Sequence, residues 1–325
     1  MSGVRRAALA LLLAALPAGS ALAQARAGGP ASAPAPAPSA ASPAAMAAGS
    51  EAAGAELRGR FTLSRAAEQG GLVHGHAPEG AVRVTLDGRP VPLTGDGRFL
   101  IAFGRDHPPS ARLEALMPDG ATVRADLPVA QRQWQIQRLP GRLGAIEAAP
   151  AFEERRAAEL ARVRAARARA DLGLPHWREP FQWPVTGRIS GVYGSQRIIG
   201  DTPRAPHFGV DIARPIGTPV VAPAGGVVLL ASPPIHTIEG NLVLLDHGMG
   251  LVSSFLHLDR VDVVAGQRVA RGEPIGTVGT TGRSTGPHLH WGMTLGDVRI
   301  DPARLVPPMA TMAPPAPSAP VASGR

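Results

Sequence analysis

Cysteine and lysine are both absent from the 325-residue sequence. Without cysteine, the chain forms no disulfide, binds no metal through thiolates and carries no lipid on an N-terminal cysteine. Such a composition suits an exported protein, because thiols pair wrongly in an oxidising compartment. Without lysine, all 33 basic residues are arginines, which outnumber the 25 acidic residues and give a formal net charge of +8.

Aromatic residues are also scarce, at 4% of the chain, although 44% of its residues are hydrophobic. The core must therefore consist mainly of Val, Leu, Ile and Ala. Aromatic side chains are not interleaved with the arginines as they are in proteins that bind single-stranded nucleic acids, so we expect no nucleic-acid partner. The arginine excess reflects either genome composition or a surface for anionic partners such as cell wall or membrane.

The N-terminus carries the features of a secretory signal. Arg5 and Arg6 precede an apolar run at 7–16, and residues 21–23 read Ala-Leu-Ala. A basic start, a short apolar run and an A-x-A site are typical of a signal peptide, and the run is short for a membrane span. We expect residues 1–23 to direct secretion across the inner membrane, to the periplasm or the outside; an uncleaved anchor is the alternative. No later segment has the pattern of a transmembrane helix, so we expect no stable membrane insertion once the signal peptide is cleaved.

Composition divides the rest of the chain into five parts. Residues 24–56 and 307–325 are rich in Ala, Pro and Ser, bury little apolar surface and are predicted to be a disordered linker and a disordered tail. Between them we expect an N-terminal β-domain at 57–140, a connecting helical segment at 141–180 and a larger β-domain at 181–306.

Residues 57–140 show the pattern of antiparallel hairpins. Apolar residues alternate with polar ones, as at Val82, Val84 and Leu86. Asp-Gly pairs separate these runs, at 87–88, 96–97 and 119–120. Alternation broken by Asp-Gly turns indicates β-hairpins, and about six short strands of this kind favour a small sandwich.

Three histidines, His74, His76 and His107, lie in this first β-region. His74 and His76 lie two positions apart, would share one face of a strand and could hold a metal. No further ligand at a suitable spacing supports that hypothesis. We therefore interpret them as surface histidines.

Residues 150–173 are dominated by Ala, Glu and Arg. Acidic residues such as Glu153 precede arginines such as Arg164, which suits a helix dipole, and Gly173 followed by Pro175 would end a helix. Large apolar residues are sparse. Two interpretations stay open: a mostly solvated connecting helix, or a helix that packs near the functional site and limits access to it.

Residues 181–306 again alternate short apolar runs with Gly, Pro and Asp turns. The runs are 218–221, 227–231, 242–245, 251–256, 275–278 and 288–293. Runs of this length, rich in Val and Leu, indicate β-strands. The whole fold is therefore predicted to be mostly β.

The second β-region also contains histidines in contexts that suit metal binding. His207 and Asp211 lie four positions apart, and a strand kinked at Gly209 could bring them together. His288 and His290 would share one strand face, with Cα atoms roughly 6.5–7 Å apart. Both cannot easily bind one ion at that separation, so one can bind it while the other stands beside the open coordination position.

These residues stand in motifs that resemble those of the lysostaphin-type, LytM-like peptidoglycan endopeptidases, which have the duplicated-hybrid-motif fold. The matching sequences are His207-x-x-x-Asp211, His257-Leu258 after an aromatic residue, and the run 282–290 that ends in His288-Leu289-His290. The resemblance covers less than half of the chain, but its motifs are highly specific.

The resemblance implies a C-terminal antiparallel β-sheet catalytic domain, beside which stand a smaller N-terminal β-sandwich-like domain and a connecting helix. It implies that His207, Asp211 and His290 bind Zn²⁺, and that His257 and His288 are catalytic residues that do not bind the ion. The family usually has Tyr two positions before the histidine that matches His257. This chain has Phe there, at position 255, so any catalytic contribution of that hydroxyl is missing.

The implied function is that of a secreted zinc metalloendopeptidase of the DD-endopeptidase type, which hydrolyses peptide cross-links in bacterial peptidoglycan during cell-wall remodelling. The alternative is a non-catalytic LytM-type activator of other peptidoglycan hydrolases. Such activators have lost metal ligands, whereas this chain keeps all of them. The N-terminal β-region carries no chemical motif, and binding of wall or of a protein regulator stays open.

Overall fold

The structure, a computed structural model, describes residues 55–57, 61–141, 150–171, 173–232 and 235–309. The predicted signal peptide, nearly all of the predicted linker and most of the predicted tail lie outside these residues. Within them, no helix combines the length and apolar character that a membrane crossing requires.

The described residues of the first part of the chain form ten strands, which are followed by a helix. They are β1 (Ala55–Leu57), β2 (Phe61–Leu63), β3 (Ala67–Glu68), β4 (Leu72–His76), β5 (Arg83–Leu86), β6 (Arg89–Val91), β7 (Arg98–Ala102), β8 (Ser110–Leu116), β9 (Thr122–Ala130), β10 (Ile136–Leu139) and α1 (Pro150–Arg167).

In the second part, the residues from 173 to 309 that the structure describes form twelve strands and two short 3-10 helices. They are His176–Arg178 (3-10), β11 (Arg188–Gly191), β12 (Gln196–Ile199), β13 (Thr202–Pro203), β14 (Val210–Ala213), β15 (Pro219–Val221), β16 (Gly226–Ala231), β17 (Asn241–Asp246), β18 (Leu251–Leu258), β19 (Arg268–Val269), β20 (Pro274–Thr277), β21 (His288–Leu295), β22 (Val298–Ile300) and Pro302–Arg304 (3-10).

Two sheets form the smaller N-terminal β-structure, in the orders β1-β2-β4-β7 and β3-β9-β8-β5-β6. Side chains from both sheets, among them Phe61, Phe99 and Leu113, form one buried core. The β5–β6 hairpin turns at Asp87 and Gly88, whose φ angles of 50° and 76° are both left-handed. A two-residue hairpin turn of this type needs positive φ at both positions, which explains the Asp-Gly sequence.

The larger β-structure is built on an eight-stranded antiparallel sheet. Its order is β11-β14-β21-β18-β17-β16-β19, and β22 pairs with β21. Every apolar run predicted between 218 and 293 coincides with a strand of this second part. The prediction of a mostly β fold with a C-terminal antiparallel sheet, a smaller N-terminal sandwich and a helix is confirmed.

Strand β21 shows how this sheet separates its core from its functional face. Leu289, Trp291 and Met293 are buried in the main apolar core. Because side chains alternate along a strand, His288 and His290 point to the opposite face. The same alternation in β18 buries Phe255, which is paired with Trp291, on the core side.

Helix α1 packs on the face of the sheet that carries the histidines. Ala166 lies in a buried cluster with sheet residues Leu242, Leu244 and Val252. The helix ends at Arg167, six residues before the predicted end at Gly173. Most of its other side chains are exposed. The helix is therefore largely solvated, as the first interpretation expects, but it also packs on the sheet that carries the site.

The two β-structures share an apolar core and polar contacts. Leu72, Leu100 and Ala102 from the first part lie in the main core of the second. Arg132 Nη1 donates to Asp301 Oδ2 at 2.9 Å. Strand β10 pairs in parallel with β12, so backbone hydrogen bonds also join the first part to the second.

His74 lies in this interface, and the expectation that it is a surface histidine is wrong. Its ring stacks on Trp177, with centroids 5.5 Å apart and an interplanar angle of 32°. Burial and nearby arginines lower the pKa of His74 to about 4. His76 is exposed, as expected.

Candidate metal and catalytic site

Three predicted metal-binding residues converge where strands β14 and β21 run side by side. Asp211 on β14 is the direct cross-strand partner of His290 on β21, and His207 lies in the loop before β14. Asp211 Oδ1 is 2.9 Å from His207 Nε2 and 2.8 Å from His290 Nδ1. The two histidine nitrogens are 3.1 Å apart.

Backbone groups orient these side chains. His207 Nδ1 lies 3.1 Å from the Val192 carbonyl oxygen. A carbonyl can only accept, so Nδ1 carries the proton and the Nε2 lone pair of the neutral ring faces Asp211. Gly209 allows the close approach, because a Cβ there would lie 2.6 Å from His290 Nε2.

The electrostatics of the site keep Asp211 charged. Burial alone would raise the pKa of its carboxyl, but hydrogen bonds and charge interactions with His207 and His290 hold that pKa far below its usual range. Burial lowers the pKa of His290. At His207 the effect of burial is outweighed by the contact with Asp211, so its pKa is raised.

This donor set fits a divalent metal ion. In the described part of the chain, His207, Asp211 and His290 are the one group of His, Cys, Asp or Glu side chains that converges in this way. Ligands of a tetrahedral zinc ion at ~2.0–2.1 Å lie roughly 3.3 Å from one another. The observed separations of 2.8 to 3.1 Å need only small outward shifts to reach that value.

His257 and His288 lie beside this group and outside it. Their ring centroids are 4.8 Å apart, and the His257 ring is 6.3 Å from that of His290. His288 Nε2 lies 3.8 Å from Asp211 Oδ1. All five residues singled out in the sequence therefore lie in one site. This site, called the histidine cluster below, consists of His207, Asp211, His257, His288 and His290.

An irregularity in β18, rather than regular strand spacing, aims His257 at the site. The register between β17 and β18 shifts between Asn241 and Val243, and His257 has a left-handed φ of 64°. Its Nδ1 donates to the Thr281 carbonyl at 2.8 Å. Burial lowers the pKa of His257 to about 4, so the ring is neutral at pH 7 and its Nε2 has a free lone pair.

The position of His288 follows from the turn that precedes it. Its Nδ1 lies 2.8 Å from the Gly286 carbonyl oxygen and 3.2 Å from Ser284 Oγ. Since the carbonyl accepts, Nδ1 carries the proton and the Nε2 of the neutral ring keeps a lone pair. His257 thus offers an unprotonated Nε2, and the tautomer of His288 that its carbonyl contact selects places its free nitrogen at Nε2 as well.

The loop at 235–240 supports His257, a role that no pattern in the sequence indicates. The Glu239 carbonyl accepts from His257 N at 2.8 Å. The Glu239 carboxylate receives two hydrogen bonds, of 2.5 and 2.6 Å, from Arg156 of α1. Glu159 of α1, which is fully buried, accepts from both N and Oγ1 of Thr237. The helix therefore holds the loop on which His257 rests.

His236 and His247 lie elsewhere. His247 lies in the turn between β17 and β18, is fully buried and contacts the Gly225 carbonyl and Ser253 Oγ, each at 2.8 Å. Burial lowers its pKa to about 4. It is a core residue that ties strands together, outside the histidine cluster.

Comparison with known proteins places this site in a family. Residues 205–302 match Peptidase family M23. A crystal structure from Pseudomonas aeruginosa, described as a candidate peptidase M23, shares 30% identity with a TM-score of 0.55, covering 74% of this chain and 96% of that one.

Curated relatives match the same region. Peptidoglycan DD-endopeptidase ShyA of Vibrio cholerae is 40% identical over 136 residues, which are 41% of this chain and 31% of the relative. Cell division protein DipM of Caulobacter vibrioides is 38% identical over 128 residues, 39% of this chain and 20% of the relative. The match thus spans a third or less of these relatives. The chain belongs to peptidase family M23, because it matches nearly the whole length of the Pseudomonas structure and because residues 205–302 match the family.

Proposed function

We propose that this protein is a zinc metalloendopeptidase that hydrolyses peptide cross-links in bacterial peptidoglycan. The observation that carries the proposal is the convergence of His207, Asp211 and His290 beside two further imidazoles with free nitrogen lone pairs. Several relatives are named peptidoglycan DD-endopeptidases, which supports this substrate. The predicted signal peptide supports action in the periplasm or outside the cell.

His207 Nε2, Asp211 Oδ1 and His290 Nδ1 would hold the zinc ion. Two imidazole nitrogens and one carboxylate oxygen are ligands that zinc accepts, and three protein ligands are typical of a catalytic rather than a structural site. When bound, zinc supplies Lewis acidity that polarises the scissile carbonyl and lowers the pKa of water.

His257 and His288 would move the protons. Each ring is held by a carbonyl at Nδ1, so that in the neutral tautomer Nε2 is the nitrogen that can accept the proton of the attacking water. The resulting imidazolium can donate that proton to the leaving amine or stabilise the developing negative charge on the substrate oxygen. Because the two rings lie next to each other, we assign proton transfer and stabilisation of the substrate oxygen to the pair together.

The missing hydroxyl at position 255 should matter little for the rate of hydrolysis. The ring is fully buried on the core side of the sheet, so a hydroxyl at this position would not reach the histidines. We expect Phe255→Tyr to leave kcat unchanged. A buried hydroxyl without a partner costs about 1–3 kcal/mol, and each kcal/mol lowers Tm by roughly 2–4 °C.

Thermal melting and hydrolysis assays check this prediction. Phe152→Tyr serves as the control, because Phe152 lies on α1 and 37% of it is exposed, so both Tm and rate should remain as in the wild type. A higher rate in Phe255→Tyr without a loss of Tm would contradict the placement of this ring.

Digestion of purified sacculi tests the proposed function. The zinc-supplemented full chain should release new free amines, and mass spectrometry of the soluble products should show cross-linked muropeptides converted to monomers. Binding to sacculi without amine release would identify a wall-binding module instead. Amine release only after addition of a second hydrolase would identify an activator.

A further inference from the structure

A second candidate site lies beside the C-terminal end of α1, in a cavity of about 290 Å³. The helix, the turn before β18 and the β21–β22 hairpin form its walls. Arg164, Arg167, Val252, Thr294 and Asp297 are among the lining residues. None of them belongs to the histidine cluster.

Arg167 places a guanidinium group in this cavity, and one of its nitrogens has no hydrogen-bond partner in the described ranges. Its Nε is buried and forms no hydrogen bond within the described part of the chain. Burial and the nearby Arg299 lower the pKa of Arg167, whereas the charges of Asp297 and Glu239 raise it. Asp297 nevertheless forms no ion pair with Arg167 among the residues that the structure describes. Because charges taken out of water are normally paired, the cavity beside Arg167 suits an anion that would contact its guanidinium directly.

Thr294 supplies a second unpaired group to the same cavity. Its side chain is 4% exposed, and Oγ1 has no hydrogen-bond partner among the described residues. Most buried hydroxyl groups in proteins find a partner. Two polar groups that can donate and find no acceptor, one of them cationic, therefore line one cavity.

The cavity and the histidine cluster share one face of the sheet. Thr294 lies four positions after His290 on β21, which has no register shift along its pairing with β18. Side chains at even spacing point to the same face, and four strand residues span about 13 Å. An extended peptide advances about 3.3–3.6 Å per residue, so a bound peptide would cover this distance in about four residues.

We infer that this cavity binds a carboxylate of the peptide substrate, about four residues from the bond that is cut. Arg167 would donate to the carboxylate through its guanidinium and Thr294 through its hydroxyl, while Arg164 adds positive charge. Arginine is suited to this role because its planar fork matches the two oxygens of a carboxylate. The inference rests on the proposed function for the identity of the peptide.

Binding of an uncleavable peptide to the zinc-loaded full chain tests the site without requiring hydrolysis. The probe is the un-cross-linked stem tetrapeptide L-Ala-γ-D-Glu-meso-diaminopimelate-D-Ala, compared with the same peptide after amidation of its carboxylates. Calorimetry should show binding of the acid about 10-fold weaker in Arg167→Gln, the effect of losing one charge-assisted hydrogen bond. Arg162→Gln, at an exposed position of the same helix, should bind like the wild type.

A second measurement separates binding from folding. If Arg167 lacks a partner in the free protein, Arg167→Met removes an uncompensated charge and should raise Tm by about 2–4 °C while it weakens peptide binding. A lower Tm with unchanged binding would overturn the inference and give Arg167 a structural role.

The outcomes for this site and for the proposed function are distinct. Peptide binding that depends on Arg167 in a protein that does not digest sacculi would contradict the peptidase and support the carboxylate site. Digestion of sacculi with equal affinity of wild type and Arg167→Gln for the tetrapeptide would support the peptidase and overturn the carboxylate site.

Discussion

Replacing Asp211 by asparagine is expected to reduce hydrolysis of sacculi to the uncatalysed background. Asp211 is the sole anion of the three proposed ligands, and its Oδ1 is shared by both histidine nitrogens. Asparagine has the same shape but presents a neutral oxygen, which binds a divalent cation far more weakly. Assays of amine release from sacculi measure the effect.

Asp201→Asn is the matched control for this variant. Asp201 is exposed and lies in the turn between β12 and β13, so its replacement should leave hydrolysis unchanged. Substantial activity in Asp211→Asn at equal protein concentration and saturating zinc would show that the reaction does not need this carboxylate.

Loss of His288 should lower kcat by about 10²–10⁴-fold, the usual contribution of a positioned acid or base. The His288→Ala variant should still hold its metal, because the imidazole lies beside the three ligand atoms rather than among them. His257→Ala should show a similar loss, since its ring faces that of His288. Steady-state kinetics on soluble cross-linked muropeptides, together with metal analysis, would separate the two effects.

The exposed His76 provides the control for these substitutions. His76→Ala should retain the wild-type kcat. Retained digestion of sacculi by His288→Ala would refute the catalytic assignment of His288. Loss of metal from that variant would instead place it among the ligands.

The five site residues were singled out by the resemblance of their motifs to those of a known family, and short-range periodicity predicts how some of them are placed. Alternation along β21 separates His288 and His290 from the buried Leu289, and this alternation is readable from the residues alone. The sequence also suggests a strand kinked at Gly209, between His207 and Asp211. The structure shows that its lack of a side chain also leaves room for His290.

The orientation of His257 could not be predicted in the same way. Its ring reaches the site through a positive φ and a register shift, and neither has a signature in the sequence around it. Nor could the sequence show that Phe255, on the same strand, faces the core rather than the site. Its pairing with Trp291 on the core side depends on which strands are neighbours.

Long-range pairing also explains what the sequence missed at the helix. Arg156 and Glu239 are 83 positions apart, and Glu159 and Thr237 are 78 apart. A helix of Ala, Glu and Arg could satisfy its charges in solvent. Only the fold determines that Arg156 and Glu159 hold the loop beneath His257.

The most direct measurement is elemental analysis of the purified full chain after zinc supplementation and removal of free metal. The convergence of His207, Asp211 and His290 predicts one zinc ion per chain, and the Asp211→Asn protein should contain far less. A folded wild-type protein that retains no zinc would contradict the metal site on which the proposed peptidase depends.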